Sequence, residues 1–209
     1  MDMCSGGGGP WLELSRGLQR DAHSPLHIVL TDKYPNLGAF QFAAAASENH
    51  IGFCPDSVDA TNVPPELKGF RTMFTSFHHF RPEKARAVLQ NAVDAGQGIG
   101  IFEVTRRAPA TIGLMFVWAL TPFALTPWIR PFRWSRLLWT YVLPIIPMVL
   151  LCDGVVSCLR TYRPPELREI IAKLTATEYQ WELGEHSTAS GGVPITYLIG
   201  FPRAPVPAG

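Results

Sequence analysis

Charge is scarce in this chain of 209 residues: Asp, Glu, Lys and Arg make up 17% of it, against roughly a quarter in an ordinary soluble domain. The charge present nearly cancels, with 18 Lys and Arg against 17 Asp and Glu, so the sequence carries no electrostatic footprint for nucleic acid. Cysteine is sparse as well. Cys4, Cys54, Cys152 and Cys158 stand without CxxC spacing, which speaks against a zinc site or a disulfide framework; no metal is expected, and a reducing compartment fits best. The N-terminus lacks a basic stretch followed by an apolar run, and glycines begin at Gly6, so no secretory signal is read and a cytoplasmic location is expected. The length suits one domain with a substantial core better than two.

Apolar residues, by contrast, reach 47%. Leu26 to Leu30 reads as a short buried strand closed by the polar turn from Asp32 to Asn36, and a helix follows through the alanine run. Ile51 to Val58 and Arg71 to Ser76 are further strand candidates. From Pro82 to Asp94, Ala85, Val88, Leu89 and Ala92 recur at helical spacing, and glycines at 96 and 98 stop the run before a strand over Ile99 to Val104. Pro164 to Leu174 reads as a helix, Glu178 to Gly184 and Ile195 to Phe201 as closing strands, and 204–209 as a tail. Alternating strands and helices predict a mostly parallel sheet with its ligand site at the C-terminal strand ends.

The segment 108–158 breaks that pattern. No charge occurs from Ala108 to Ile129 or from Leu137 to Cys152, and Arg130, Arg133 and Arg136 separate the two runs. The first run has the roughly 20 residues that cross a hydrocarbon core of about 30 Å, although its prolines disfavour a straight helix. Two full spans would put the arginine-bearing loop outside, against the preference of basic residues for the cytoplasmic side. An interfacial hairpin at the inner face of the cell membrane, with Trp128, Trp134 and Trp139 at the headgroups, avoids the conflict. A soluble lid over an apolar pocket is the other reading.

Candidate chemistry lies at the strand ends. The opening segment places Asp2 before the closely spaced Gly6 to Gly9, a backbone that a ligand can approach, leading into a helix over Pro10 to Leu18. Asp32 ends the next strand, Asp59 and Ala60 close the following one, and Ser76 to Phe80 the one after. In that order these residues resemble the class I S-adenosylmethionine-dependent methyltransferases. Asp2, Gly6 and Gly8 match the family's Asp/Glu-x-Gly-x-Gly-x-Gly pattern, with Cys4 in place of its first glycine. The resemblance implies a Rossmann-like fold: a mostly parallel sheet, an antiparallel C-terminal hairpin, and here an apolar helical insert. It implies S-adenosylmethionine as cofactor, with Asp2, Cys4, Gly6 and Gly8 at its methionine end, Asp32 at the ribose, Asp59 and Ala60 at the adenine, and Ser76 alongside. The cofactor-binding core is then 1–107, completed by 159–203.

The family's first strand and a preceding helix come before the acid, whereas only Met1 precedes Asp2, so a truncated first strand is expected. His78 and His79 are the candidate bases for a hydroxyl acceptor, which the apolar insert suggests is a small lipid-like molecule. Glu103, followed by Arg106 and Arg107, reads as a charged strand terminus in preference to a substrate contact, Asp153 either as marking the pocket or as meeting Arg160, and Glu185 with His186 as a solvated loop. Two other functions stay open: a non-catalytic membrane-associated protein on a degenerate Rossmann-like domain, and a nicotinamide-dependent oxidoreductase. No Tyr-x-x-x-Lys pair supports the last.

Overall fold

The computed structural model describes residues 1–21, 26–48, 50–175, 178–187 and 193–203. The predicted tail 204–209 lies outside them. In chain order the elements are α1 (Trp11–Asp21), β1 (Ile28–Leu30), α2 (Leu37–Ala46), β2 (Ile51–Phe53), β3 (Arg71–Phe74), α3 (Pro82–Asp94) and β4 (Ile99–Glu103). The insert follows as α4 (Pro109–Trp118), α5 (Thr121–Leu125), α6 (Trp134–Leu137) and α7 (Ile145–Arg160), before α8 (Pro164–Ala172), β5 (Tyr179–His186) and β6 (Ile195–Pro202).

β1 pairs with β2, and β3 with β4, in parallel; β6 runs antiparallel to both β4 and β5. These two groups, β2–β1 and β3–β4–β6–β5, meet across the first three residues. Asp2 N–H donates to Val29 O at 2.8 Å and Asp2 O accepts from Thr31 N at 2.9 Å, while Met3 N–H and Thr72 N–H bond Thr72 O and Met1 O on the other side. Met1–Met3 is therefore a one-rung central strand, parallel to β1 and β3. Successive strands step outward from it in both directions, and the crevice over such a reversal point is where open α/β sheets bind ligands.

Each face of the sheet carries its own core. On one face Trp11, Ile28, Leu30, Phe40, Ala43 and Ile51 pack together under α1 and α2. On the other, Met73, Ile99, Ile101 and Leu198 meet Ala85, Val88, Leu89 and Ala92 of α3 and Leu167 and Ile170 of α8. The helical spacing read in α3 thus faces the sheet over its whole length. Beyond α1, the first face leaves an apolar groove of about 860 Å³ over Phe70, Phe74 and Phe102.

Two local readings change. β2 stops at Phe53 rather than Val58, because Pro55 has no N–H to donate and the chain turns away after Cys54 N–H bonds Leu30 O. Glu185 and His186 are not in a loop: they extend β5 and pair with Thr196 and Ile195.

The insert is a helical hairpin. Pro109–Trp128 forms a first arm long and apolar enough to cross a membrane, with 22% of it buried; the return arm, Trp134–Val142 with Ile145–Arg160, is bent by 68°. The break falls after a π-helical turn, Leu138–Val142, next to Pro144. α4 packs along α7, and Thr126 and Thr140 share a buried hydroxyl contact of 3.2 Å between the arms. Among the described residues most exposed large hydrophobic side chains lie on this hairpin, including Trp128 at 78% and Trp134 at 77% exposure. Asp153 is exposed there, and Arg160 donates to His79 O instead of pairing with it.

Candidate cofactor and acceptor site

The loops that follow β2, β1, the central rung and β3 leave the sheet side by side, so the topology gathers all four sequence signals at one edge. The rung turns through Cys4 (φ +56°), Gly6 (φ +51°), Gly8 (φ +103°) and Gly9 (φ +56°) into α1. Glycine takes such values freely, but Cys4 is held in the left-handed region at a cost of about 1–2 kcal/mol. Of the three non-glycine residues with positive φ among those described, Cys4 and Thr75 both sit at strand ends on this edge. A side chain at Gly6 or Gly7 would meet no heavy atom within 4 Å, so the backbone there is bare on its outer side.

Asp2 is turned inward. Its carboxylate accepts from Ser5 Oγ and Thr72 Oγ1, each at 2.7 Å, and burial pushes its pKa up against the opposing effect of those bonds. It braces the glycine turn against β3. Cys4 is partly covered, and burial, reinforced by the charges of Asp32, Asp2 and Asp59, raises its thiol to about 12.

Asp32 closes β1 and ties the loops together, accepting from Gly6 N–H at 2.8 Å and from Tyr34 N–H at 2.9 Å. Its neighbour Lys33 reaches across to Asp59 at 2.7 Å. That bond, with the bonds from Thr61 hydroxyl and amide, lowers the Asp59 carboxyl to about 2. Ala60 is buried in the core beside it. Asp32, Asp59 and the glycine turn therefore form one connected group.

On the other side of the rung, Ser76 is buried and its hydroxyl has no partner among the described residues. The next residues form a single 3₁₀ turn, Phe77–His79, that places His78 under the insert helix α7. His78 is 2% exposed; its Nδ1 lies 2.9 Å from Glu103 Oε2, and its backbone N–H bonds Glu103 Oε1 at 3.2 Å. Glu103 also accepts from Thr105 Oγ1. An ionised Glu103 selects the tautomer with the proton on Nδ1, leaving Nε2 as the basic nitrogen, and Nε2 is buried without a partner among the described residues. Glu103 is thus no solvated terminus but the orienting group of His78, a link across 25 residues that no local pattern announces. His79 stays partly exposed; burial, then the charges of His78 and Arg160, lower its pKa.

Neither a family model nor a curated protein sequence matches the chain. Solved structures do. A candidate zinc-dependent alcohol dehydrogenase from Rhodobacter sphaeroides is similar at a TM-score of 0.54 and 14% identity, over 97% of this chain and 83% of that one. LepI in complex with SAM gives 0.52 and 17% over 96% of this chain, which spans only 42% of LepI. The methyltransferase domain of bacterial CtHen1 gives 0.52 and 10%, over 97% of this chain and 88% of that domain. The chain has the Rossmann-like fold of the class I S-adenosylmethionine-dependent methyltransferases, a mostly parallel sheet ending in an antiparallel hairpin.

Proposed function

We propose that this protein is an S-adenosylmethionine-dependent methyltransferase acting on a small apolar or lipid-like acceptor at a membrane surface. The observation that carries the reading is the connected group at the sheet edge: a bare glycine turn, Asp32 bonded to that turn, and Asp59 bonded to the Asp32 loop, in the order the family uses. LepI, a neighbour in fold, has been solved with SAM and with SAH.

The residues fit such a cofactor. Gly6 and Gly8 would lie along its methionine part, Asp32 at the ribose hydroxyls, and Asp59 with Ala60 at the adenine; the orphaned Ser76 hydroxyl offers a further polar contact. When bound, the cofactor supplies an electrophilic sulfonium methyl group. The chain's own part is to hold the acceptor in line and exclude water, and for a hydroxyl acceptor His78 Nε2 would take its proton, with Glu103 holding the ring and stabilising the imidazolium.

The hairpin supports the membrane half of the reading. Its exposed apolar arms suit the acyl boundary, its tryptophans the interface, and Arg130, Arg133 and Arg136 at its tip anionic headgroups. The result expected with vesicles containing anionic brominated lipid is quenching of most tryptophan emission, because four of six tryptophans lie on the hairpin. Unchanged emission would remove the membrane from the proposal.

One arrangement favours a non-catalytic protein instead: both Asp32 oxygens already accept backbone amides, and a cysteine occupies the strained first position of the turn. Calorimetric titration of the intact protein with S-adenosylmethionine decides between the two. Micromolar binding, weakened about tenfold or more by Asp32→Ala, is expected, a loss on the scale of one charged hydrogen bond. No binding would leave the non-catalytic reading, and binding of NADH instead would favour the oxidoreductase.

A further inference from the structure

The two ends of the hairpin leave the core side by side, 106–108 going out and 161–165 coming back, and they enclose a cavity of about 240 Å³. Its charged lining is Arg106, Arg107, Arg163 and Glu185, three cations to one anion. Arg106 is steadied by Glu185 at 2.7 Å, and Arg107 by Glu166 at 2.9 Å and by Thr161 O at 3.1 Å. Those bonds engage one terminal nitrogen of Arg106 and both terminal nitrogens of Arg107, whose Nε remains. Arg107 Nε is buried and has no acceptor, and Arg163 makes no ion pair among the described residues. A buried N–H of this kind calls for an acceptor.

We propose that this cavity binds the phosphate group of a phosphorylated amphiphile whose apolar part lies along the hairpin. Planar guanidinium groups match the oxygens of a phosphate, and the three arginines outnumber the two carboxylates, Glu185 and Glu166, that pair with them. The space, about eight water volumes, admits a phosphate ester and a few further atoms but no long chain. Ala108 lines the same cavity where the first uncharged arm begins, so an apolar tail can follow that arm outward. A free phosphate offers the same oxygens without the tail. The lipid source rests on the membrane reading above; the phosphate site does not.

The test follows the side-chain Nε–Hε signal of Arg107 by nuclear magnetic resonance in the intact protein, assigned by its loss in Arg107→Lys. Inorganic phosphate and short-chain phosphatidic acid are titrated separately, with short-chain phosphatidylcholine as control. Both phosphate probes are expected to shift the signal, phosphatidic acid at concentrations at least tenfold lower, and Arg163→Gln to weaken both by about tenfold, the worth of one charged hydrogen bond. Arg163 is exposed, so that variant is expected to fold, and a thermal melt checks it. Equal affinities for phosphatidic acid and phosphate would point to a soluble phosphate ester as the source. No shift with either probe, an unaltered response in Arg163→Gln, or phosphatidylcholine binding as tightly as phosphatidic acid would overturn the proposal. Phosphate binding needs no bilayer, so a protein that binds phosphate but ignores vesicles would refute the membrane reading alone.

Discussion

Replacing Glu103 tests whether it and His78 form a buried unit. The carboxylate is 6% exposed, the imidazole 2%, and Glu103 satisfies three donors at once: His78 Nδ1, His78 N–H and Thr105 Oγ1. Glu103→Ala strands both His78 donors while Thr105 Oγ1 keeps Thr161 Oγ1 at 2.7 Å, and at about 1–3 kcal/mol for each unsatisfied buried donor the cost is about 2–6 kcal/mol. For a chain of this size 1 kcal/mol moves Tm by roughly 2–4 °C, so a fall of about 4–24 °C is expected. Glu103→Gln keeps the volume but turns an N–H₂ either toward His78 Nδ1 and Thr105, which share Oε2, or toward the His78 backbone N–H at Oε1, and about 1–2 kcal/mol is expected for one spoiled bond. If the amide faces the ring, Nδ1 becomes the acceptor and the proton moves to Nε2, a change read directly from imidazole nitrogen shifts. Denaturant titration of both variants, of His78→Ala and of the double mutant completes the cycle, with a coupling above about 1 kcal/mol expected. A Glu103→Ala protein within about 0.5 kcal/mol of the parent, or strictly additive single changes, would refute the coupled unit.

Two further tests address the rest of the site. Iodoacetamide should modify exposed Cys152 well before Cys4, since a thiol raised from 9.0 to about 12 holds roughly a thousandfold less thiolate, and should spare the fully buried Cys158; vesicles should slow Cys152, and labelling of Cys4 as fast as Cys152 would contradict its burial. Asp2 and Asp59 should act on acid stability with opposite signs. The Asp2 carboxyl is raised above 3.8 in the folded state, so its contribution to stability falls as pH rises from 3.8 through the folded value; Asp59, lowered to about 2, contributes stability above 3.8 that is lost as pH falls toward 2. Urea midpoints measured across pH 2–6 should show Asp2→Asn removing the first slope and Asp59→Asn the second, and identical slopes in both variants would count against the assignment.

Periodicity marked what packing enforces. Pro82–Asp94 was legible to the residue because its apolar stripe, its proline start and the glycines beyond it all point to one helix. The strand order was legible only through the family resemblance, since register between β1 and β3 depends on three residues too short to show alternation. β5 reached farther than its turn-like residues suggested, because pairing with β6 carries Glu185 and His186. Of the candidate site, the residues that act through the backbone, Gly6 and Gly8, were singled out by the family's acid-and-glycine pattern. The partners that act through space, Glu103 for His78 and Lys33 for Asp59, could not, for no sequence spacing encodes a contact between neighbouring strand ends.

The central rung has a mechanical consequence. β1 and β2 with α1 and α2 form one wing of the sheet and β3 to β6 the other, and the backbone bonds that join them run through Met1, Asp2 and Met3. Asp32 and Asp59 ride on the first wing, Ser76 and His78 on the second. Amide protons at Asp2, Thr31 and Thr72 lie in this seam, so their exchange should slow when a ligand bridges the two wings. Any ligand that touches both wings closes the seam like a clasp, and its affinity is coupled to the rigidity of the whole sheet.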